Sequence, residues 1–255
     1  MADPAPAPDP DDGDEAGAQP DPVAGPVLAV FAHPDDADIG CGGTLAKFAD
    51  AGREVHLLIL TNGDRGSGDA AVDRTELAAM RRAETQASAA VLGLASATVL
   101  DTHDGELDNT PEIRARVVRT IRELRPGTLV SCDPTAVFFE NKYYNHADHR
   151  VAGWIALDSV FPGSGNPHFF ADQLASGLEA CPVYDVWLSW SQEPNHREDI
   201  TGFLPRKIEA LSRHVSQVEG NLLGFFEDWL EEEAAEEGAK VSVEHAESFR
   251  RLALD

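Results

Sequence analysis

Short apolar runs alternate along the chain with longer stretches in which apolar residues recur every three or four positions. The short runs predict buried strands, and the longer stretches predict helices with one apolar face. Predicted strands cover residues 27–31, 55–60, 98–100, 128–132 and 183–190. Predicted helices cover residues 44–51, 72–92, 111–124, 151–160 and 205–218, and the acidic run 231–237 predicts an exposed helix surface. This alternation predicts an α/β fold, with a Rossmann-like, mostly parallel sheet and helices on both faces.

The first 25 residues are rich in Asp, Ala and Pro and contain no Lys or Arg. Such a segment buries too little apolar surface to offset its chain entropy, so residues 1–25 are predicted to be a disordered acidic tail. Residues 26–255 are then one domain. The segment lacks the basic start and apolar centre of a signal peptide, and no run of about 18 apolar residues predicts a membrane span. We therefore expect a soluble cytoplasmic protein.

Acidic residues dominate the composition, since 45 Asp and Glu against 20 Lys and Arg give a formal net charge of −25. An acidic surface with few lysines favours a halophilic protein, because high salt screens self-repulsion; the alternative is an ordinary acidic cytoplasmic protein. Nucleic-acid binding is not expected, because the phosphate backbone requires clustered Lys and Arg. The three cysteines are widely spaced, as is typical of a reducing compartment.

Candidate chemistry begins directly after the first predicted strand, in the segment His33-Pro34-Asp35-Asp36. In an open α/β sheet, ligands bind at the carboxyl ends of strands. Imidazole and carboxylate groups are good ligands for a divalent metal such as zinc, and a second aspartate would be free to take a proton. The segment does not match an EF-hand or a phosphate-binding glycine loop. A plain alternative is a capped turn whose aspartates accept backbone N–H groups.

A second polar cluster, Asn145-His146-Ala147-Asp148-His149-Arg150, follows the fourth predicted strand. The carboxyl ends of parallel strands lie at one edge of a sheet, so this cluster and the first can converge. Three protein ligands and one water form a catalytic zinc site. A lone histidine is more often structural than a ligand, but two in one loop with a matching partner loop favour a metal centre.

The two clusters resemble the paired signatures of the LmbE-like (PIG-L) family of zinc deacetylases, in the segments His33-Pro34-Asp35-Asp36 and His146-Ala147-Asp148-His149. The similarity covers nearly the whole chain after about Gly25. Weaker matches are R-x-x-E at 81–84, D-G-x-L at 104–107, a lysine at 207, H-x-S-Q at 214–217 and A-E-x-F at 246–249. One departure concerns the residue after the first signature, which is often Glu in the family and is Ala37 here.

The resemblance implies one zinc ion per chain, bound by His33, Asp36 and His149. Zinc lowers the pKa of its bound water towards ~7 and polarises a substrate carbonyl. Asp35 is then expected to act as the general base on that water and to pass the proton to the leaving amine. His146 is expected to face the developing oxyanion as a donor or general acid, with Asp148 holding its imidazole in the charged form.

Four further residues are candidates for substrate contact, each with a structural alternative. Arg81 matches the family's active-site arginine, or is an exposed helix charge. Tyr144, two residues before His146, reaches the oxyanion or the sugar, or is a packing aromatic. Asp104 binds sugar hydroxyls or shapes its turn. His214 lines the pocket, or it stabilises the C-terminal end of its helix through the helix dipole.

The predicted activity is zinc-dependent removal of the N-acetyl group from a small-molecule substrate that contains N-acetylglucosamine. The sequence does not decide which molecule carries the N-acetylglucosamine unit: a free amino sugar, chitobiose, a nucleotide or lipid conjugate, or a thiol glycoside. Loop 134–144 could form a wall of the substrate site. Two alternatives remain: another metal-dependent hydrolase, such as an amidase or phosphoester hydrolase, and a noncatalytic sugar-binding module. Bridged metals would favour phosphoester chemistry, whereas this ligand set suits one ion. Because family members are often oligomeric, a homo-oligomer is expected.

Overall fold

The computed structural model describes residues 25–254, so the predicted acidic tail, apart from Gly25, lies outside the described residues. One sheet has the strand order β3-β2-β1-β4-β7-β9-β8. Its strands are β1 (Val27–Phe31), β2 (Val55–Thr61), β3 (Ser96–Thr102), β4 (Thr128–Cys132), β7 (Asp185–Ser189), β8 (His196–Asp199) and β9 (Ala246–Ala253). A separate hairpin pairs β5 (Phe138–Phe139) with β6 (Tyr143–Tyr144).

Seven α-helices surround the sheet in the described part of the chain. They are α1 (Asp36–Asp50), α2 (Arg74–Leu92), α3 (Pro111–Leu124), α4 (Ala147–Asp158), α5 (Ala171–Ala175), α6 (Leu204–Leu211) and α7 (Leu222–Ala239). A π-helical turn, Ser159–Ser164, follows α4. Within residues 25–254, each helix is too short or too polar to cross a membrane.

Strand β1 is buried along its whole length because helices cover both faces of the sheet. Leu28 and Val30 pack on the side that contains residues of α3 and α4, such as Ile121. Val27 and Phe31 pack on the other side with residues of α1. Burial on both faces explains why the sequence of this strand is a continuous apolar run.

The order of the strands reverses beside β1. Strand β1 pairs in parallel with β2 on one side and with β4 on the other. The chain therefore leaves β3 at one edge and returns through α3 to lie next to β1. Such a reversal opens a crevice at the carboxyl ends of the two strands, which is where open α/β sheets bind ligands.

The predicted fold class is confirmed, and three details differ. Helix α1 begins at Asp36 rather than at residue 44, and a non-helical backbone at Cys41 (φ −159°, ψ 21°) divides it. Helix α6 ends at Leu211 rather than at 218, and Val215, inside the predicted helix, is 58% exposed. Strands β8 and β9 were not predicted; β9 pairs antiparallel with β7 and with β8.

Candidate metal centre and active site

Three side chains from the two sides of the crevice converge on one point. His33 follows β1, Asp36 opens α1, and His149 lies in the first turn of α4. His149 Nε2 is 3.1 Å from His33 Nδ1 and 3.1 Å from Asp36 Oδ1. His33 Nδ1 is 3.4 Å from Asp36 Oδ2. The two clusters that the sequence predicts to meet therefore do meet.

These separations fit a metal ion. Bonds of 2.0–2.1 Å in a tetrahedral zinc site place neighbouring ligand atoms about 3.3 Å apart. Two other groups of ligand-type side chains also lie close together: His33 with His146 and His149, and His33 with Asp104 and Asp148. The set with Asp36 suits one ion because His149 Nε2 lies equally close to a ring nitrogen of His33 and to a carboxylate oxygen of Asp36, at 3.1 Å from each. The site can hold one divalent ion on two imidazoles and one carboxylate.

Hydrogen bonds orient the ligand atoms towards that point. Asp36 Oδ2 accepts the backbone N–H of His33 at 2.8 Å, which leaves Oδ1 directed at His149. His149 Nδ1 lies 2.9 Å from Asn145 Oδ1 and donates to it, so its Nε2 lone pair is free for a metal. Asn145 is buried, and its amide also donates to the Ala136 carbonyl. Asn145 was not among the predicted site residues, although it stands one helical turn before His149.

Two carboxylates lie on the opposite side of the His33 ring. His33 Nε2 is 3.2 Å from Asp104 Oδ1 and 3.4 Å from Asp148 Oδ2, an ion-pair arrangement rather than a pair of aligned hydrogen bonds. Burial alone would lower the pKa of His33, but the charge of Asp36 and the contacts with Asp104 and Asp148 raise it well above its usual value. Burial opposes ionisation of Asp36, yet His149 and His33 hold its pKa well below the usual range. The pocket therefore favours positive charge at its centre.

The contact expected between the Asp148 carboxylate and the His146 ring is replaced by another arrangement. Asp148 Oδ2 accepts the Gly105 N–H at 2.7 Å, and the ring nitrogen Nδ1 of His146 accepts the Asp148 backbone N–H at 3.2 Å. Burial, together with the neighbouring His33 and His149 rings, lowers the pKa of His146. The lowered pKa favours the neutral form of His146, and the hydrogen bond that its Nδ1 accepts leaves Nε2 as the position for the ring hydrogen.

Asp35 lies at the start of α1, beside the candidate metal ligand Asp36. Arg81 of α2 donates from Nη2 to Asp35 Oδ1 at 2.9 Å and from Nη1 to the Gly63 carbonyl at 3.1 Å. Gly63 has φ +63°, and a Cβ there would lie 2.5 Å from the guanidinium. Arg81 is only 2% exposed, so the alternative of an exposed helix charge is wrong, and the acidic side chain that it bonds to is Asp35.

His214 makes its contacts inside the protein. Its side chain is fully buried, which favours the structural alternative over a place at an exposed pocket wall. His214 Nε2 is 3.1 Å from Asp38 Oδ2, and Ser88 Oγ donates to Asp38 Oδ1. Burial would lower the pKa of His214, but its hydrogen bond to Asp38 and the charge of Asp38 raise it. This network fixes the first turn of α1.

Aromatic side chains surround the open side of the site. Tyr144 is 69% exposed and stands opposite Phe138, which is 66% exposed, in the β5–β6 register. Paired positions of an antiparallel ladder project from the same face, so these two rings form one exposed surface. Trp190 stacks on His149 with ring centroids 5.1 Å apart, and the sequence analysis did not identify it.

Comparison with known proteins identifies the family. The model of the PIG-L family, described as GlcNAc-PI de-N-acetylase, matches residues 28–160. The chain belongs to the PIG-L family. This confirms the predicted family, and the PIG-L match includes the predicted site residues except His214. The C-terminal elements from β7 onwards lie beyond it.

Relatives with assigned activities agree with PIG-L membership. The chain is 35% identical over 224 residues to diacetylchitobiose deacetylase of Thermococcus kodakarensis, covering 88% of this chain and 82% of that protein. It is 30% identical to a 1D-myo-inositol 2-acetamido-2-deoxy-alpha-D-glucopyranoside deacetylase of Rhodococcus erythropolis, covering 75% and 81%. It also superposes on N,N'-diacetylchitobiose deacetylase of Pyrococcus horikoshii with a TM-score of 0.82 and 33% identity, covering 89% and 83%.

Proposed function

We propose that this protein is a zinc-dependent N-deacetylase of a sugar that contains N-acetylglucosamine. The observation that carries the proposal is the convergence of His33, Asp36 and His149 on one point, with Asp35 adjacent and not needed as a ligand. Relatives that cover most of this chain are deacetylases of such sugars. A noncatalytic sugar-binding module would need neither the spare carboxylate nor the arginine that orients it.

The bound ion would supply an acidified water and polarise the amide carbonyl. Asp35 removes the proton of the attacking water and delivers it to the amine as the amide bond breaks, giving acetate and a free amino sugar. Arg81 keeps the Asp35 carboxylate in one orientation through the 2.9 Å hydrogen bond. A positioned base gains its effect from such fixed geometry.

His146 stabilises charge that develops on the carbonyl oxygen. Its Nδ1 is occupied by the Asp148 N–H, so Nε2–H is the donor available to substrate. Asp104 and Asp148 hold the His33 ring so that Nδ1 faces the ion, in the manner of carboxylates that orient ligand histidines. Asp148 thus acts through His33 and through the turn that presents His146.

The substrate we propose is a short N-acetylglucosamine oligosaccharide such as a chitobiose derivative. Tyr144 and Phe138 present an exposed aromatic surface, and Tyr144 directly precedes Asn145-His146 in the chain. Exposed apolar patches beside a site mark binding surfaces, and aromatic rings stack on the apolar face of a pyranose. The diacetylchitobiose deacetylases among the relatives support this choice.

The setting that we propose is a salt-rich cytoplasm, with the enzyme as a homo-oligomer that does not bind nucleic acid. The net charge of −25 supports both the high-salt setting and the absence of a nucleic-acid partner. The three cysteines are buried free thiols, which supports a reducing compartment.

Acetate release tests the activity. Purified protein, stripped of metal and reloaded with one equivalent of zinc, should release acetate from diacetylchitobiose in molar salt. A chelator should abolish the release, and zinc should restore it. Absence of release from every N-acetylglucosamine derivative tried, with one zinc bound per chain, would refute the proposal.

A further inference from the structure

We propose that Glu247 and Lys207, which lie beyond the stretch 28–160 that the PIG-L model matches, are positioning residues for the proposed metal ligand Asp36, an inference that rests on the proposed function. Glu247 lies on β9 and Lys207 on α6. Both side chains are buried, with 5% and 3% exposure. They act through the break in α1 and not by contact with the ion or the substrate.

The break at Cys41 separates the turn that carries Asp36 from the rest of α1. A helical segment that starts after such a break has N–H groups in its first turn without acceptors. Gly43 N–H and Thr44 N–H are two of these groups, and their acceptors lie 204 and 203 residues away, on Glu247. A side chain from a distant strand thus replaces the local cap that a helix start normally uses.

Both oxygens of the Glu247 carboxylate accept hydrogen bonds in this arrangement. Oε1 accepts Gly43 N–H at 3.0 Å, and Oε2 accepts Thr44 N–H at 2.8 Å. Lys207 Nζ donates to Oε1 at 2.6 Å and balances the buried charge. An added Cβ on Gly43 would lie 2.8 Å from Ile200, the residue after β8, so the close approach of Ile200 to α1 requires glycine there.

This cap determines where Asp36 points. If the N–H groups of Gly43 and Thr44 bonded within a continuous helix, the turn 36–40 would rotate about the helix axis, and Asp36 would leave its place 3.1 Å from His149. The cap stabilises the broken form and so keeps the carboxylate on the ion. Residues that orient ligands in this way usually change metal affinity by about 10–100-fold when they are removed.

The test separates the effect of losing the cap from the effect of leaving a buried charge unpaired. Glu247→Gln leaves one of the two N–H groups without an acceptor and also leaves Lys207 unpaired, so it should lower both the melting temperature and the zinc affinity. The double variant Glu247→Gln/Lys207→Met removes the unpaired charge, so its melting temperature should recover the part of the loss that the charge causes. Its zinc Kd, measured by chelator competition, should stay about 10–100-fold weaker.

A matched control uses a buried ion pair at the other end of the sheet. Asp185 accepts from Arg251 at 2.7 Å and from Trp187 at 2.8 Å, as buried as Glu247 but at the amino end of β7. Asp185→Asn/Arg251→Met should change the melting temperature and leave the zinc Kd within about twofold, on the scale that remote sites show.

Wild-type zinc affinity in the Glu247→Gln/Lys207→Met variant, or an equal loss of affinity in the control, would overturn the inference. A wild-type protein that binds zinc tightly but releases no acetate would refute the proposed activity alone, because zinc affinity is measured without substrate. A wild-type protein that binds no zinc would refute both.

Discussion

Arg81 Nη2 donates to Asp35 Oδ1 at 2.9 Å, and this bond joins α2 to the turn in front of α1. The guanidinium is buried, with Nη1 on the Gly63 carbonyl and 4.0 Å from Asp104 Oδ2. An arginine in this setting cannot reach a substrate without leaving its partners. Its effect on the reaction passes through the carboxylate that it holds.

Replacing Arg81 should therefore reduce turnover and spare the metal. We expect Arg81→Met to lower kcat about 100-fold, because misplacement of a base by about 1 Å has an effect of that size. Zinc content should stay at one per chain. Arg82→Met is the matched control, since Arg82 is partly exposed and bonds to Asp101 of β3. Equal kcat losses in the two variants would contradict the role given to Arg81.

Replacing Asp35 itself should lower kcat at least as much as replacing Arg81. Asp35→Asn keeps the shape and removes the base, so kcat should fall by about 100- to 10,000-fold, the usual range for general base catalysis. Zinc should remain bound, because Asp35 is not one of the three converging ligands. Metal analysis alongside acetate release checks both statements. Wild-type kcat in this variant would assign the base to another residue.

Asn145 should control metal affinity rather than turnover. Asn145→Ala removes the acceptor of His149 Nδ1 and frees the ring to rotate or change tautomer. We expect a zinc Kd about 10–100-fold weaker by chelator competition. Asn141→Ala, at the exposed hairpin tip, serves as the control and should leave the Kd unchanged. A zinc Kd that is unaffected by Asn145→Ala would contradict the role of Asn145 in fixing the tautomer of His149.

Stability should depend on pH through His214. Its pKa is raised in the folded protein, so the folded state binds the proton more tightly than the unfolded state, whose histidine pKa is about 6.5. The stabilisation is complete below that value and is lost as pH rises through the folded pKa. Urea unfolding at several pH values should show a steeper decline over this window in wild type than in His214→Gln. The exposed His168→Gln variant should keep the wild-type slope.

The aromatic surface of the hairpin should set the preference for chain length. Tyr144→Ala and Phe138→Ala should raise KM for a disaccharide about tenfold, which corresponds to the loss of about 1.4 kcal/mol of contact. KM for N-acetylglucosamine itself should change little if the surface binds the second ring. The ratio of the two KM values is the measurement, and an equal change in both would place the surface at the first ring.

The central strands could be predicted because burial on both faces makes their sequences continuous apolar runs. Strands β1 and β4 match their predicted limits, and Pro111 marks the start of α3 correctly. Strands β8 and β9 escaped prediction because they carry charged residues, such as Glu247 and Arg250, whose partners are distant in the sequence. The early start of α1 was missed because three glycines in 40–43 are poor helix formers, and tertiary contacts override that preference.

The convergence of the two polar clusters could be predicted, and the residues that support it could not. His33, Asp36 and His149 stand in short motifs whose spacing points to a shared ion. Asn145 and Glu247 act through single hydrogen bonds that depend on the folded backbone, and no local pattern marks them. The protein partners of Asp148, Arg81 and His214 could not be predicted for the same reason, since motif proximity does not give side-chain direction.

The place of β9 between β7 and β8 has a consequence for synthesis of the protein. During translation, the signature residues near the start of the chain leave the ribosome long before Glu247, which follows Gly43 by 204 positions. The nascent chain therefore carries all three ligands while the break in α1 still has no distant acceptor. On the proposed role of Glu247, tight metal binding requires β9 in the sheet, so a chain that terminates before β9 is expected to bind its metal weakly.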